Sequence, residues 1–157
     1  MRQSTVRLGL FILAISTLTG GPAFAEDARA RCAKTGDDDR VKVIPPALVA
    51  GAARLYDEDP RQAARHRQLY AYRCMDGAVW VCNHGANIPC AKGDTSTSLP
   101  GLASYCRENP ETDFVPMYVT GHSTIHSFAC AGGKPRVTDS QKTDARGFVT
   151  DHWKRLD

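Results

Sequence analysis

The stretch Tyr70 to Cys90, YAYRCMDGAVWVCNHGANIPC, constrains the fold of this chain most strongly. Two β-type runs meet there at Asp76-Gly77, a strong hairpin signal because both central residues of a type I′ turn need positive φ. A two-residue loop fixes the register: Met75 faces Ala78, Cys74 faces Val79, Arg73 faces Trp80, Tyr72 faces Val81 and Ala71 faces Cys82. Strand alternation then puts Tyr70, Tyr72, Cys74, Val79 and Val81 on one face, with Ala71, Arg73, Ala78, Trp80 and Cys82 on the other. Cys74 and Cys82 point oppositely, so each ties the hairpin to something else.

The compartment follows from the first residues, MRQSTVRLGLFILAISTLTGGPAFA. Arg2 and Arg7 precede an apolar run, and Ala23-Phe24-Ala25 forms a small-x-small junction, the pattern of a secretory signal peptide over residues 1–25. A membrane anchor is the alternative, but the run falls short of the ~20 residues that a span needs. Residues 26–157 are then one disulfide-stabilised domain, periplasmic or secreted and free of the membrane after cleavage. Losing Arg2 and Arg7 lowers the formal charge from +3 to about +1, with no concentrated basic patch to suggest nucleic acid.

All six cysteines, Cys32, Cys74, Cys82, Cys90, Cys106 and Cys130, lie in that domain. An even count in an oxidising compartment reads as three disulfides, with fifteen pairings open. The set we favour is Cys82 to Cys90 across a short loop, Cys106 to Cys130, and Cys32 to Cys74. No C-x-x-C occurs, which argues against metal ligation or a reactive thiol.

Residues 26–40 read as a polar lead-in pinned by Cys32, with Asp37-Asp38-Asp39 as a solvated turn. A helix is expected from about Pro46 to Tyr56 and a weaker helical segment over 61–68. Turn signals fill 83–97, and Ser98 or Thr97 is placed to cap a helix over about 100–108. Strands are expected over about 115–120, 124–131 and 134–138, the last two joined at Gly132-Gly133. Phe128-Ala-Cys130 repeats the spacing of Tyr72-Arg-Cys74 before a tight turn, which suggests two hairpins in one antiparallel sheet. The last residues, with Phe148, Val149, Trp153 and Leu156, suit an edge strand or a short helix.

Candidate chemistry is sparse. His122 and His126 have the i, i+4 spacing of a helical zinc pair, but Gly121, Ser123, Thr124 and Ile125 favour strand or turn. In a strand the two share a face about 13 Å apart, too far for one metal. Gly121-His122-Ser123 lacks the Gly-x-Ser-x-Gly pattern of a nucleophile elbow. Glu108, Glu111 and Asp113 lie in a Pro-interrupted polar turn, where loop acids are normally solvated. An exposed Trp80, beside Arg73 on the less apolar hairpin face, would mark a binding surface.

Two short patches resemble the small periplasmic inhibitors of C-type lysozyme. Tyr72-Arg-Cys74-Met-Asp-Gly77 is similar to that family's Tyr-x-Cys entering a hairpin, and Tyr118-Val-Thr-Gly121 to its Tyr-x-x-Gly. The resemblance implies an antiparallel β-barrel whose loops block the lysozyme cleft. Where the family's Ser-Gly-x-x-Tyr has serine and glycine, this chain has Phe114 and Val115, and where it has a later tryptophan, this chain has His126.

The expected fold is α+β: a small antiparallel sheet or partial barrel built from hairpins, one or two packed helices and three disulfides. The expected function is a non-catalytic binding module without cofactor or metal, for a protein or cell-envelope ligand, with inhibition of a cell-wall hydrolase as its most concrete form. Candidate binding residues are Arg73, Trp80, His84, Asn87, Tyr118, His122 and His126. A small hydrolase or metal-dependent enzyme using His122 and His126, and a structural envelope protein, are the alternatives.

Overall fold

The computed structural model describes residues 23–85 and 87–157. The signal-peptide reading therefore lies almost wholly outside the described residues. The chain runs α1 (Ala23–Thr35), β1 (Asp38–Val43), α2 (Val49–Leu55), α3 (Pro60–Arg65), β2 (Tyr70–Met75) and β3 (Ala78–Asn83). Then follow α4 (Leu102–Glu108), α5 (Met117–Thr120), β4 (His126–Ala131), β5 (Lys134–Ser140) and β6 (Lys154–Leu156), with short 3-10 turns between some of them. This is an α+β fold with three disulfides.

The central hairpin has the register its turn dictates. Asp76 and Gly77 both take positive φ, and Arg73 pairs with Trp80 and Cys74 with Val79. β1 pairs antiparallel with β2, and β6 with β3, giving an open four-stranded sheet in the order β1-β2-β3-β6. The Gly132-Gly133 hairpin is a second, separate two-stranded sheet of β4 and β5, so the expectation of a single sheet is corrected. The two hairpins lie in different places because their cysteines bridge to different partners. β5 is exposed along its length, and Lys134, Pro135 and Arg136 blunt its free edge.

Three apolar clusters each enclose one disulfide. On the first hairpin face, Tyr70, Tyr72, Cys74, Val79 and Val81 pack against Ala28 and Cys32 of α1, Ala52 and Ala53 of α2, and Ala63 of α3. Cys32–Cys74 closes this cluster at a Cα separation of 5.0 Å. On the other face, Ala71, Cys82 and half-buried Trp80 meet Cys90, Phe148 and Trp153, with Cys82–Cys90 inside. The third holds Leu102, Val115 and Phe128 around Cys106–Cys130. All three bridges match the favoured pairing.

Four local expectations are corrected. Residues 26–35 are helical, not an irregular lead-in, because Ala28 and Cys32 at i, i+4 give α1 an apolar stripe to bury. Asp38 and Asp39 are strand residues engaged by cations, not a solvated turn: Arg40 and Lys42 donate to Asp38, and Lys92 and Arg146 to Asp39. Residues 117–120 form one helical turn instead of a strand, because Pro116 stands at its N-cap and pre-sets the entry. Neither Thr97 nor Ser98 caps α4; its N-cap is Gly101, without a side-chain bond. The C-terminal segment contains both suggested forms, a 3-10 turn at Thr150–His152 and then edge strand β6.

Candidate functional site

The predicted binding residues divide among three places. Arg73 belongs to the interior, and Trp80 is half-buried beside it. Arg73 is 2% exposed, its guanidinium carbon 4.0 Å from the Phe148 ring centroid and 4.9 Å from that of Trp153. Its Nη2 donates to the Asp144 carboxylate in an ion pair. Asp144 also accepts from the backbone N–H groups of Arg146 and Phe148, at 2.9 and 3.0 Å. Burial alone would raise the Asp144 pKa, but the N–H of Phe148, Arg73 and the N–H of Arg146 outweigh it and hold it below the usual carboxylate value. Arg73 thus anchors the 144–148 loop from inside, and its reading as a surface binding residue is corrected. The alternation did place it opposite Trp80; what hid its role was the habit of reading arginine as a wet residue.

Asn87, His122 and His126 meet at one groove. It has a volume of about 150 Å³, and its walls include Pro89, Met117, Thr124, Asp139 and Gln141. The Cys82–Cys90 loop brings Asn87, the turn after α5 brings His122, and the start of β4 brings His126. Asn87 and His122 are exposed. Tyr118, next to Met117 on α5, is 81% exposed and makes an edge-on contact to Tyr105 at 6.5 Å; Phe114 is 64% exposed. Sequence reasoning singled out Tyr118 but passed over Phe114, whose place two residues before Pro116 in DFVPMY was the available signal. Behind them Cys106–Cys130, Val115 and Phe128 fix the segment from below.

His126 is held at both nitrogens. Nε2 lies 3.1 Å from the Thr95 carbonyl oxygen, which can only accept, so Nε2 carries the proton. Nδ1 then accepts from the Ser140 hydroxyl at 2.7 Å, directly across the β4–β5 ladder. His122 shares the groove but has no hydrogen-bond partner among the described residues. No group of three or more His, Cys, Asp or Glu side chains among the described residues is arranged to hold a metal ion. The Ser140–His126 contact was invisible in the sequence, because it depends on the hairpin register and a bulge between Ser127 and Phe128.

His84 lies apart, at the rim of a second cleft of about 150 Å³ beside Tyr56 and His152. No helix among the described residues is long and apolar enough to cross a membrane. The three disulfides suit an oxidising, extracytoplasmic environment. No protein-family model, curated protein or solved structure matches this chain.

Proposed function

We propose that this is a periplasmic or secreted non-catalytic binding module that holds a cell-envelope protein against the groove of Asn87 and His122 and the exposed Phe114 and Tyr118 of the segment that brings Met117 to that groove. The observation that carries this reading is the exposure of two aromatic side chains on a segment clamped by Cys106–Cys130. Tyrosine and phenylalanine on a rigid support bury much area on binding at small entropic cost, and such residues dominate protein interfaces. A cell-wall hydrolase is the most concrete partner, given the resemblance around Tyr118-Val-Thr-Gly121.

The test is the residual activity of a purified C-type lysozyme with increasing amounts of the mature domain, and then with its Tyr118→Ala variant. Saturable inhibition that weakens at least tenfold in the variant supports the reading. Full lysozyme activity, together with binding of the domain to isolated cell wall, would favour a structural envelope role instead.

One observation favours an enzymatic second reading: Ser140, His126 and the Thr95 carbonyl form a hydroxyl–imidazole–acceptor chain. The nearest following backbone donor, Gln141 N–H, is spent on the Ile125 carbonyl at 2.8 Å, so it is not free to stabilise an oxyanion. Labelling of Ser140 by a fluorophosphonate, lost in His126→Ala, would establish that reading.

A further inference from the structure

The cleft beside Tyr56 has an unusual hydrogen-bonding inventory. It lies between the Cys82–Cys90 loop and the 151–152 turn, with Tyr56, Gly85 and Ile88 as its apolar wall. Most of its donors are already used; the exposed His84 ring at the rim and the second Asn83 Nδ2 hydrogen are the exceptions among the described residues. The Tyr56 hydroxyl donates to the Val81 carbonyl at 2.8 Å. Burial pushes the Tyr56 pKa up to about 12, so this phenol stays protonated. The Gly85 and Ile88 N–H groups bond each other's carbonyls, and the His152 N–H bonds the Val149 carbonyl. Asn83 Nδ2 donates to Glu58 Oε1 at 2.6 Å; a carboxylate accepts, so the amide orientation is set and Oδ1 is left as an acceptor.

His152 completes the pattern. It is 9% exposed, and its Nδ1 lies 3.1 Å from the Pro89 carbonyl oxygen. Nδ1 therefore carries a proton, and in the neutral ring Nε2 is an acceptor with no partner among the described residues. Nε2 is open to solvent and not sealed in the core, so it is available as an acceptor in the cleft. Asp151 adds a carboxylate to the same lining. Lys154 Nζ, over the Tyr56 ring, is committed to the Leu55 carbonyl at 2.6 Å.

We infer that this cleft is a second binding site, for the donor-rich basic head of a peptide side chain, an alkylguanidinium or alkylammonium. Such a group supplies the N–H donors that Asn83 Oδ1, His152 Nε2 and Asp151 can accept, while its alkyl stem lies against Ile88 and Tyr56. The site is independent of the groove at His122.

The experiment is an NMR titration of the mature domain with Nα-acetyl-arginine methylamide, following the Ile88 methyls and the His152 ring. The norleucine and citrulline analogues serve as uncharged controls. Saturable shifts at both probes with arginine, at least threefold weaker binding of citrulline, and none with norleucine are expected. Asp151→Asn, an exposed change that leaves the core intact, weakens arginine binding by about threefold, the scale of one partly screened charge. Equal binding of norleucine, shifts confined to Asn87 and His122, or no shift at all would overturn the assignment. Because the probe is a single amino acid, failure here leaves the lysozyme assay unaffected, and the reverse also holds.

Discussion

Replacing Asp144 with Asn should cost more than replacing its buried partner Arg73 with Met. Asp144→Asn leaves the guanidinium charged at 2% exposure, with the Phe148 and Trp153 rings, Met75 Sδ and a neutral amide oxygen as its remaining favourable contacts. Breaking a buried pair from one side costs roughly 3–5 kcal/mol. The low end applies, because the Asp144 side chain is 15% exposed and solvent already screens the pair, so we expect about 3 kcal/mol. Arg73→Met removes the charge and leaves an unbranched apolar chain between the two rings. Asp144 keeps its bonds from the Arg146 and Phe148 N–H groups and its solvent edge. That variant should lose about 1–2 kcal/mol, the range for an imperfect repacking. In a domain of this size 1 kcal/mol moves Tm by roughly 3–5 °C, so thermal unfolding followed by circular dichroism at pH 7 separates the two. An Arg73→Met variant less stable than Asp144→Asn would refute the argument that the uncompensated cation is the costly state.

Further expectations concern acid, the disulfides and the candidate face. Hydrogen bonds from Arg40 and Lys42 hold the Asp38 carboxyl far below its ordinary pKa, those from Arg146 and Lys92 lower Asp39, and Asp144 is lowered as well. Stability from depressed carboxylates is fully present above the unfolded value of about 3.9 and is lost as pH falls through the folded values. Melting temperature should therefore be flat from neutral pH to about pH 5 and drop below about pH 4; a decline already at pH 6 would contradict this. The bridges close loops of sequence separation 42, 24 and 8 for Cys32–Cys74, Cys106–Cys130 and Cys82–Cys90. Loop entropy alone predicts losses of about 4, 3.5 and 2.5 kcal/mol for the paired Cys→Ala variants, in that order, by urea unfolding. Gly93→Ala should destabilise clearly, since its Cβ would stand 2.3 Å from Ile125 Cγ2, and an unchanged melt would show that Ile125 can move aside. Tyr118→Ala should leave the melt within about 0.5 kcal/mol, as expected for a side chain this exposed.

The parts of this fold that local chemistry decides were legible in the sequence. Asp76-Gly77 and Gly132-Gly133 fixed two hairpins, and with strand alternation they determined which cysteines could not pair. Leu48, Ala52 and Leu55 announced α2. What escaped was set at long range. Whether the second hairpin joins the first depends on where Cys106 sits, and no local pattern carries that. Arg73 has nothing in its neighbourhood to reveal that Asp144, 71 residues away, would neutralise it. At Met117–Thr120, Pro116 and the Gly121 exit, at φ 81°, prevailed over the β-propensity of Val119 and Thr120.

The candidate site was legible in its members and illegible in its geometry. Asn87, His122 and His126 come from three segments, and only the folded chain shows that they share a groove while His84 belongs elsewhere. The pairing of His126 with Ser140 also changes its meaning, from a free ligand to a cross-strand tie.

The most direct test of the binding-face account is an NMR titration of the isotopically labelled mature domain with unlabelled C-type lysozyme, resolving which amides respond. The account predicts shifts or broadening concentrated at Phe114, Tyr118, His122 and Asn87, with the α1–α3 face silent. Perturbation centred on the helical face, or none up to millimolar lysozyme, would contradict it.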